Sequence, residues 1–443
     1  MYREIQNMFD EIVNKDRDLY HQDYKNAWEK VKNSTAIYKG EPVEFLYQGL
    51  FFSKSEYETL KELLTQLTDI LKKVIAKYKE DSKFRSYFPF SDIMEELILI
   101  DPGYSNEFPM GRFDIFYNKN GQHMFCELNA DGSSAMNEVR VIQKVMLESL
   151  ALKAISSNYV LKGFELFHSW IDSILDNYCE FNDGIDDKPN IAIVDFDGEG
   201  TVYEFKEFQK RFKERGYQTI ICDPRELNYT DGRLYYNDLE IKLIYRRATT
   251  IRLVEESEDI SDFINAYRDG AVCVVGGLVS QIIHNKVLFA VLHDGDKVSF
   301  LTEKEREFIK KHIPFTRVFD PEDEEAVKDI SFNKDKWILK PLDKYAGKGV
   351  YAGRDFKSSE WADILKEIND KDYIYQEYVN VPTRKMVFVD DDLKFEKAGF
   401  LIGLFSYNNK LAGLYTRAGR KNIIGAIAES YTVPNYICRN REW

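Results

Sequence analysis

Apolar residues fall into three kinds of spacing along the chain, and each kind occupies its own stretch. Leu60, Leu63, Leu64, Leu67, Ile70, Leu71, Val74, Ile75 and Tyr78 recur at three- and four-residue intervals behind Ser53-Lys-Ser-Glu56, a capping-box pattern. The spacing predicts a long helix with one face in a core, within a mainly helical region over residues 1–100. Helical spacing resumes over 137–156 and 164–178, then breaks at the charged, turn-rich stretch 182–189. Beyond it, IAIVDF (191–196), YQTIICD (217–223) and AVCVVGG (271–277) are uninterrupted apolar runs, with an amphipathic helix at 203–215 between the first two. That is a βαβ rhythm. DGRLYYNDLEIKLIYRR (231–247) predicts a hairpin or short strand pair. From about residue 300 a charged helix (303–311) leads into the strand candidates WILKPL (337–342), YIYQEYV (373–379), KMVFVD (385–390) and LAGLYTR (411–417), with a helix at 359–368 between the first two.

The strictest alternation lies in GRFDIFYNKNGQHMFCELNAD (111–131). Asn120-Gly121 at its centre is the dipeptide of a two-residue type I′ turn. With that turn, Asp114 lies opposite Glu127 and Arg112 opposite Asn129, all four on one face, while Phe113, Ile115, Tyr117, Met124, Cys126 and Leu128 make the other face apolar. Carboxylates facing each other across neighbouring strands lie about 5 Å apart and repel unless something positive sits between them. Two carboxylates with an amide oxygen suit Mg2+, which keeps its other positions for water and phosphate. An ordinary surface hairpin, with Arg112 neutralising Asp114, satisfies the same pattern.

Two lysines point to a polyphosphate. Lys340 ends a strand, and Lys348 sits in Asp343-Lys-Tyr-Ala-Gly-Lys-Gly349, where Gly347 and Gly349 would let backbone amides approach phosphate oxygens. The Walker pattern GxxxxGK[ST] is absent. A glycine-rich hairpin loop with solvated lysines is the bland alternative. Downstream, Gln376, Glu377, Tyr378 and Val379 close an alternating strand whose end could present backbone groups to an adenine edge and a carboxylate to ribose hydroxyls. Arg417, on the same strand face as Leu411, Gly413 and Tyr415, suits a phosphoryl group whose charge is shifting, or equally a surface ion pair.

Composition narrows the classes. With 443 residues, 44% of them hydrophobic, the chain has material for two or three packed domains. No apolar run approaches the roughly 20 residues of a membrane span, and the charged start, MYREIQNMFDEIVNKDRDLY, lacks a signal-peptide core. Cys126, Cys179, Cys222, Cys273 and Cys438 have no CxxC spacing, which argues against a zinc site or disulfide framework and fits a reducing cytoplasm. A net charge of −14 without a basic stripe disfavours nucleic acid and is compatible with a cationic substrate such as a polyamine.

Together GRFDIFY, FCELNADGSS, GRLYYNDLEIKLIYRR, HNKVLFAVL, WILKPLDKYAGKGV, IYQEYV and GLYTRAG, spread over roughly residues 107–420, resemble the ATP-grasp superfamily. The resemblance is to its circularly permuted branch, which includes the synthetase domain of glutathionylspermidine synthase. Order is the specific part: Glu127-Leu-Asn129 precedes Lys340 and Lys348, the reverse of ordinary ATP-grasp proteins. The resemblance implies an α+β fold with a helical region (1–100), a metal-binding half (101–185), an inserted α/β pre-ATP-grasp substrate domain (186–300) and a nucleotide-binding half (301–443). It implies Asp114, Glu127 and Asn129 as Mg2+ ligands and Lys286, Lys340, Lys348, Gly347, Gly349 and Gln376 to Val379 around ATP. Arg112 would partner the transferred phosphate or the substrate carboxylate, and Arg417 would attend the reacting phosphoryl group. Ser133 and Ser134 look like acyl-substrate or phosphate contacts, though serines there could equally cap the helix beginning near Ala135. Arg246 or Arg247 would anchor a substrate carboxylate, the alternative being plain surface charge. The expected activity is an ADP-forming carboxylate–amine ligase acting through an acylphosphate on a small-molecule or peptide acid and an amine. A non-catalytic ATP-binding homologue and a phosphotransferase acting on a small acid are the rival readings.

Overall fold

The computed structural model describes residues 3–118, 121–184, 187–344, 348–368, 372–421, 423–424 and 429–441. Its longest helix, α1 (Lys54–Glu80), begins at the expected cap: Ser53 Oγ accepts from Glu56 N at 3.2 Å, and the Glu56 carboxylate accepts from Ser53 N at 2.9 Å. The whole stripe from Leu60 to Tyr78 is buried. Among the described residues no helix is long and apolar enough to cross a membrane.

The hairpin follows as β1 (Met110–Phe116) and β2 (Met124–Asn129). Arg112 pairs with Asn129 and Asp114 with Glu127, as the alternation predicts. Nearer the turn the register differs, because Ile115 pairs with Phe125 and Phe116 with Met124. Cys126 is therefore an extra residue in β2, a β-bulge. Phe125 takes a core position, whereas Met124 and Cys126 are only half-buried, which corrects the apolar face expected from strict alternation. Gly121 N donates to Asn118 O at 3.2 Å, while Lys119 and Asn120, and with them the expected two-residue turn, lie outside the described residues.

After the hairpin come α2 (Met136–Leu147), β3 (Ile191–Val194), α3 (Val202–Glu214), β4 (Thr219–Cys222), β5 (Leu243–Arg246) and β6 (Cys273–Val275). The four strands form a parallel sheet in the order β6-β5-β3-β4, the βαβ unit that the apolar runs predict. Next, β7 (Thr316–Val318), β8 (Trp337–Pro341), β9 (Tyr351–Ala352) and β10 (Tyr373–Glu377) make a small antiparallel sheet in the order β7-β10-β8-β9.

The last strands are β11 (Thr383–Val389), β12 (Leu393–Tyr407), β13 (Lys410–Gly419) and β14 (Tyr431–Val433). They join the hairpin in one sheet ordered β14-β13-β12-β1-β2, with β11 also paired to β12. This sheet unites residues 110–129 with residues 383–433, far apart in the chain. Its central strand β12 is absent from the expectations above. Gly399 and Gly403 interrupt its apolar pattern like turn residues, and from Ala398 onward it is buried on both faces, so no alternation marks it.

Gly403 has a specific reason to be glycine. It pairs with Asp114 on one side and Tyr415 on the other, and a Cβ there would lie 2.8 Å from both Arg112 Cγ and Asp114 Oδ1. The missing side chain leaves room for the side chains of β1 and β13 to meet across β12. Gly403→Ala is expected to lower stability by ~1–3 kcal/mol, the usual cost of overpacking. Urea unfolding with an unchanged midpoint would show that Arg112 and Asp114 yield freely.

Candidate active site

The hairpin face gathers charge from distant parts of the chain. Asp114, only 1% exposed, accepts from Arg417 NH2 at 2.6 Å and lies 3.3 Å from Arg112 Nε. Glu127 is paired with Lys286 Nζ at 3.2 Å. Burial disfavours its charge, but Lys286, Lys340 and Arg417 outweigh that and hold its carboxyl down to about 2. Asn129 Nδ2 lies 3.4 Å from both Asp114 Oδ2 and Glu127 Oε2, so the three side chains converge. The amide presents its NH2 there, and a half-turn would present its oxygen instead. Among the described residues no cluster of three or more His, Cys, Asp or Glu is arranged for a metal. Two carboxylates and an amide oxygen are donors of the kind that suit a hard divalent cation.

Lys340 approaches this face from the small sheet. Its ammonium donates to Gln376 Oε1 at 2.7 Å and to Cys126 O, the bulge carbonyl, at 3.1 Å. Burial pushes its pKa down, while Cys126 and Glu127 oppose that. Gln376 in turn donates to Thr316 Oγ1 at 2.9 Å, so both ends of its buried amide serve to fix the lysine. Lys286 tethers the root of the glycine-bearing loop, with Nζ 2.9 Å from Lys344 O and its backbone N 3.0 Å from Leu342 O. Gln281 and His284 reach Asp343 in the same loop. Lys348 is exposed, and Gly349 has φ +70° with Tyr373 Oη where a Cβ would go, a place only glycine fills without strain. Gly347 lies outside the described residues.

The nucleoside set is divided between two faces. Gln376 looks toward the hairpin with Lys340, whereas Glu377 and Tyr378 line a separate cleft of ≈ 280 Å³ with Phe315, Lys336, Trp337 and Arg354. The backbone amides of Glu377 and Tyr378 are taken by Phe315 O and Lys336 O, and Arg354 stacks 3.7 Å from the Tyr378 ring centre. Those two amides are therefore engaged within the protein and unavailable to an adenine edge, which corrects that part of the expectation. Val379 follows half-buried, between the small sheet and β11.

Three arginines hold the loop that leaves the hairpin. Arg246 donates through Nε to Gly276 O, through NH1 to Asp131 Oδ1 and Ala248 O (2.6 Å each), and through NH2 to Gly277 O (3.3 Å) and Ser280 Oγ (3.2 Å). Each of its five N–H groups is used, so Arg246 has nothing left for the substrate carboxylate it was expected to anchor. Arg247 binds Ser133 O, Tyr245 Oη at 3.0 Å and Glu204 at 3.2 Å, and its buried Nε has no acceptor among the described residues. Arg112 NH1 donates to Ser134 O at 3.0 Å. Neither serine caps α2: Ser133 Oγ donates to Asn129 O at 2.7 Å, and the cap residue is Ala135, at φ 90° and with no side-chain bond.

Residues 22–438 match the glutathionylspermidine synthase pre-ATP-grasp family. The chain belongs to that family. By fold, this family member is similar to the apo form of a glutathione synthetase-like effector, GSS30, from Globodera pallida. The TM-score is 0.57 at 11% identity, over 95% of this chain and 98% of that one. A putative gamma-glutamylcysteine synthetase from Methylobacillus flagellatus KT gives a TM-score of 0.42 at 11% identity, over 84% and 87%. No curated protein is matched by the sequence.

Several residues of this glutathionylspermidine synthase family member enter the site without a sequence signal. Cys126 donates its thiol to Asp114 O at 3.3 Å, and burial beside Asp114 pushes it up to about 12, so it stays neutral. Its bulged position is invisible to alternation. Asp131 accepts from Arg246 and from Thr250 N at 2.6 Å, and only the ADG that carries it hinted at a turn. Asp131→Asn leaves Arg246 buried without its anion and is expected to cost ~3–5 kcal/mol of stability. Denaturant unfolding within about 1 kcal/mol of wild type would show that the pair does not hold the loop.

Proposed function

We propose that the chain is an ATP-grasp ligase of circularly permuted order, joining a carboxylate to an amine through an acylphosphate with release of ADP and orthophosphate. The observation that supports this most is Lys340, whose ammonium reaches the backbone between Asp114 and Glu127 from the facing sheet. An anionic phosphate chain entering between those sheets would find Lys340 and Lys286 on one side and Arg112 and Arg417 on the other. Such a site activates a carboxylate by positioning and charge compensation, without a side-chain nucleophile. Asp114, Glu127 and Asn129 would hold Mg2+, which when bound would supply neutralisation of phosphate charge. The two cations now bound to Asp114 and Glu127, Arg417 and Lys286, are those that phosphate would engage, and the unpartnered Nε of Arg417 adds a donor.

The acid substrate is assigned to the loop with Ser133 and Ser134, which the arginines fix beside the phosphoryl position. The amine is assigned to the parallel sheet, residues 186–300. In the order β6-β5-β3-β4 the connections reverse between β3 and β5, and open α/β sheets bind ligands in the crevice outside such a point. The loop after β3 carries Asp195, Asp197 and Glu199 there, the last ion-paired with Arg252 at 3.1 Å. Burial pushes Asp195 up to about 6 despite the pull of Arg247. An acidic rim suits a cationic amine such as a polyamine.

With ATP, the correct acid and hydroxylamine, the protein is expected to yield a hydroxamate together with ADP. AMP and pyrophosphate would indicate adenylation and overturn the roles given to Arg417 and the carboxylates. A phosphorylated acid that no amine converts would favour a phosphotransferase. For the amine, Asp195→Asn combined with Glu199→Gln should raise its KM about 10-fold while the KM for ATP stays put. Parallel rises in both would remove the loop from the amine site.

A further inference from the structure

Amide formation from an acylphosphate needs a neutral amine, yet an alkylamine carries a proton at neutral pH. A ligase of the kind proposed above therefore needs a proton acceptor near the acyl carbon. The carboxylates of the hairpin are poor candidates, since Asp114 and Glu127 are each committed to cations. Glu138 is not.

Glu138 lies in the first turn of α2, just beyond the loop whose Ser134 carbonyl is held by Arg112. Its Oε2 accepts from Tyr415 Oη at 2.9 Å. The Tyr415 ring, on β13, packs under both guanidinium groups assigned to the phosphoryl position, 5.3 Å from Arg112 and 5.9 Å from Arg417. One end of Tyr415 thus marks the reacting phosphate and the other holds a half-buried carboxylate. On its far side Glu138 faces Glu204, which pairs with Arg247 at the end of β5, toward the crevice assigned to the amine. We propose that Glu138 is the general base that takes a proton from the amine as it attacks the acylphosphate.

This assignment rests on the ligase reading and completes its proton balance. The ammonium gives one N–H proton to Glu138, and the freed lone pair attacks the acyl carbon. The C–N bond forms and the C–O bond to phosphorus breaks, its electron pair leaving with phosphate. The second N–H proton goes to the departing phosphate dianion, and Glu138 returns its own to solvent. The charged and titratable groups facing Glu138 are Tyr415, Glu204, Arg112 and Arg417. Burial, with Glu204, raises its carboxyl above the usual range, and the Tyr415 hydrogen bond and the arginines oppose this. A base shifted in that direction is a better proton acceptor.

Hydroxylamine separates a base from a merely structural residue, because it is neutral at pH 7 and needs no deprotonation before attack. The Glu138→Gln protein is assayed with ATP and glutathione, or another acid that elicits ADP release from the wild type, against spermidine and against hydroxylamine. Amide formation should fall at least ~10²-fold while hydroxamate formation stays within about 3-fold of wild type. Glu138→Asp should recover part of the amide rate. Equal loss of both products would make Glu138 structural and overturn the assignment, as would an unchanged amide rate. A wild-type protein that gives neither acid-dependent ADP nor hydroxamate with any acid would instead overturn the ligase reading, and this base with it.

Discussion

Two carboxylates set face to face on adjacent strands are the constraint around which this molecule is arranged. Asp114 and Glu127 would repel at hairpin distance, and Asp114, which is buried, has no water to spread its charge. Compensation arrives from Arg112 on the same strand, Arg417 on β13, Lys286 beyond the parallel sheet and Lys340 on the small sheet. Because those cations are remote in sequence, satisfying the pair draws three sheets to one place. The same geometry makes the pair useful, since a site built to neutralise concentrated negative charge is prepared for a polyphosphate and its cation.

The arginines divide into two kinds by how fully their donors are used. Arg246, with every N–H engaged and its partner Asp131 buried, is a rivet between the hairpin loop and the strands β5 and β6. Arg417 and Arg112 keep unspent capacity at the hairpin, with Arg417 Nε lacking an acceptor and both guanidinium planes lying against Tyr415. Arg247 is intermediate. Counting donors therefore sorts residues that look alike in sequence: the adjacent pair Arg246-Arg247 gives no hint of the difference.

What the sequence made legible was local. Alternation across 111–131 put Arg112, Asp114, Glu127 and Asn129 on one face, and the apolar runs of 191–277 announced the parallel sheet, because each depends on near neighbours in the chain. Residues whose meaning depends on tertiary contact stayed hidden. Strand β12 carries no alternation since both its faces are covered, and Gly403 reads as a turn until its closeness to Asp114 is known. Gln376 looked like a nucleoside contact but spends its amide on Lys340 and Thr316. Glu138 gave no signal at all, being one acidic residue among many in the first turn of a helix.

The bulge at Cys126 gives the hairpin two separate reading frames. Between the turn and the bulge, strand pairing follows one register; from Glu127 onward it follows another, and only the second carries chemistry. Were the bulge flattened with the sequence unchanged, the register set nearer the turn would put Cys126 opposite Asp114, turn Glu127 and Asn129 onto the apolar face and bring Leu128 among the cations. The single unpaired residue at position 126 is thus the origin from which the charged face is counted.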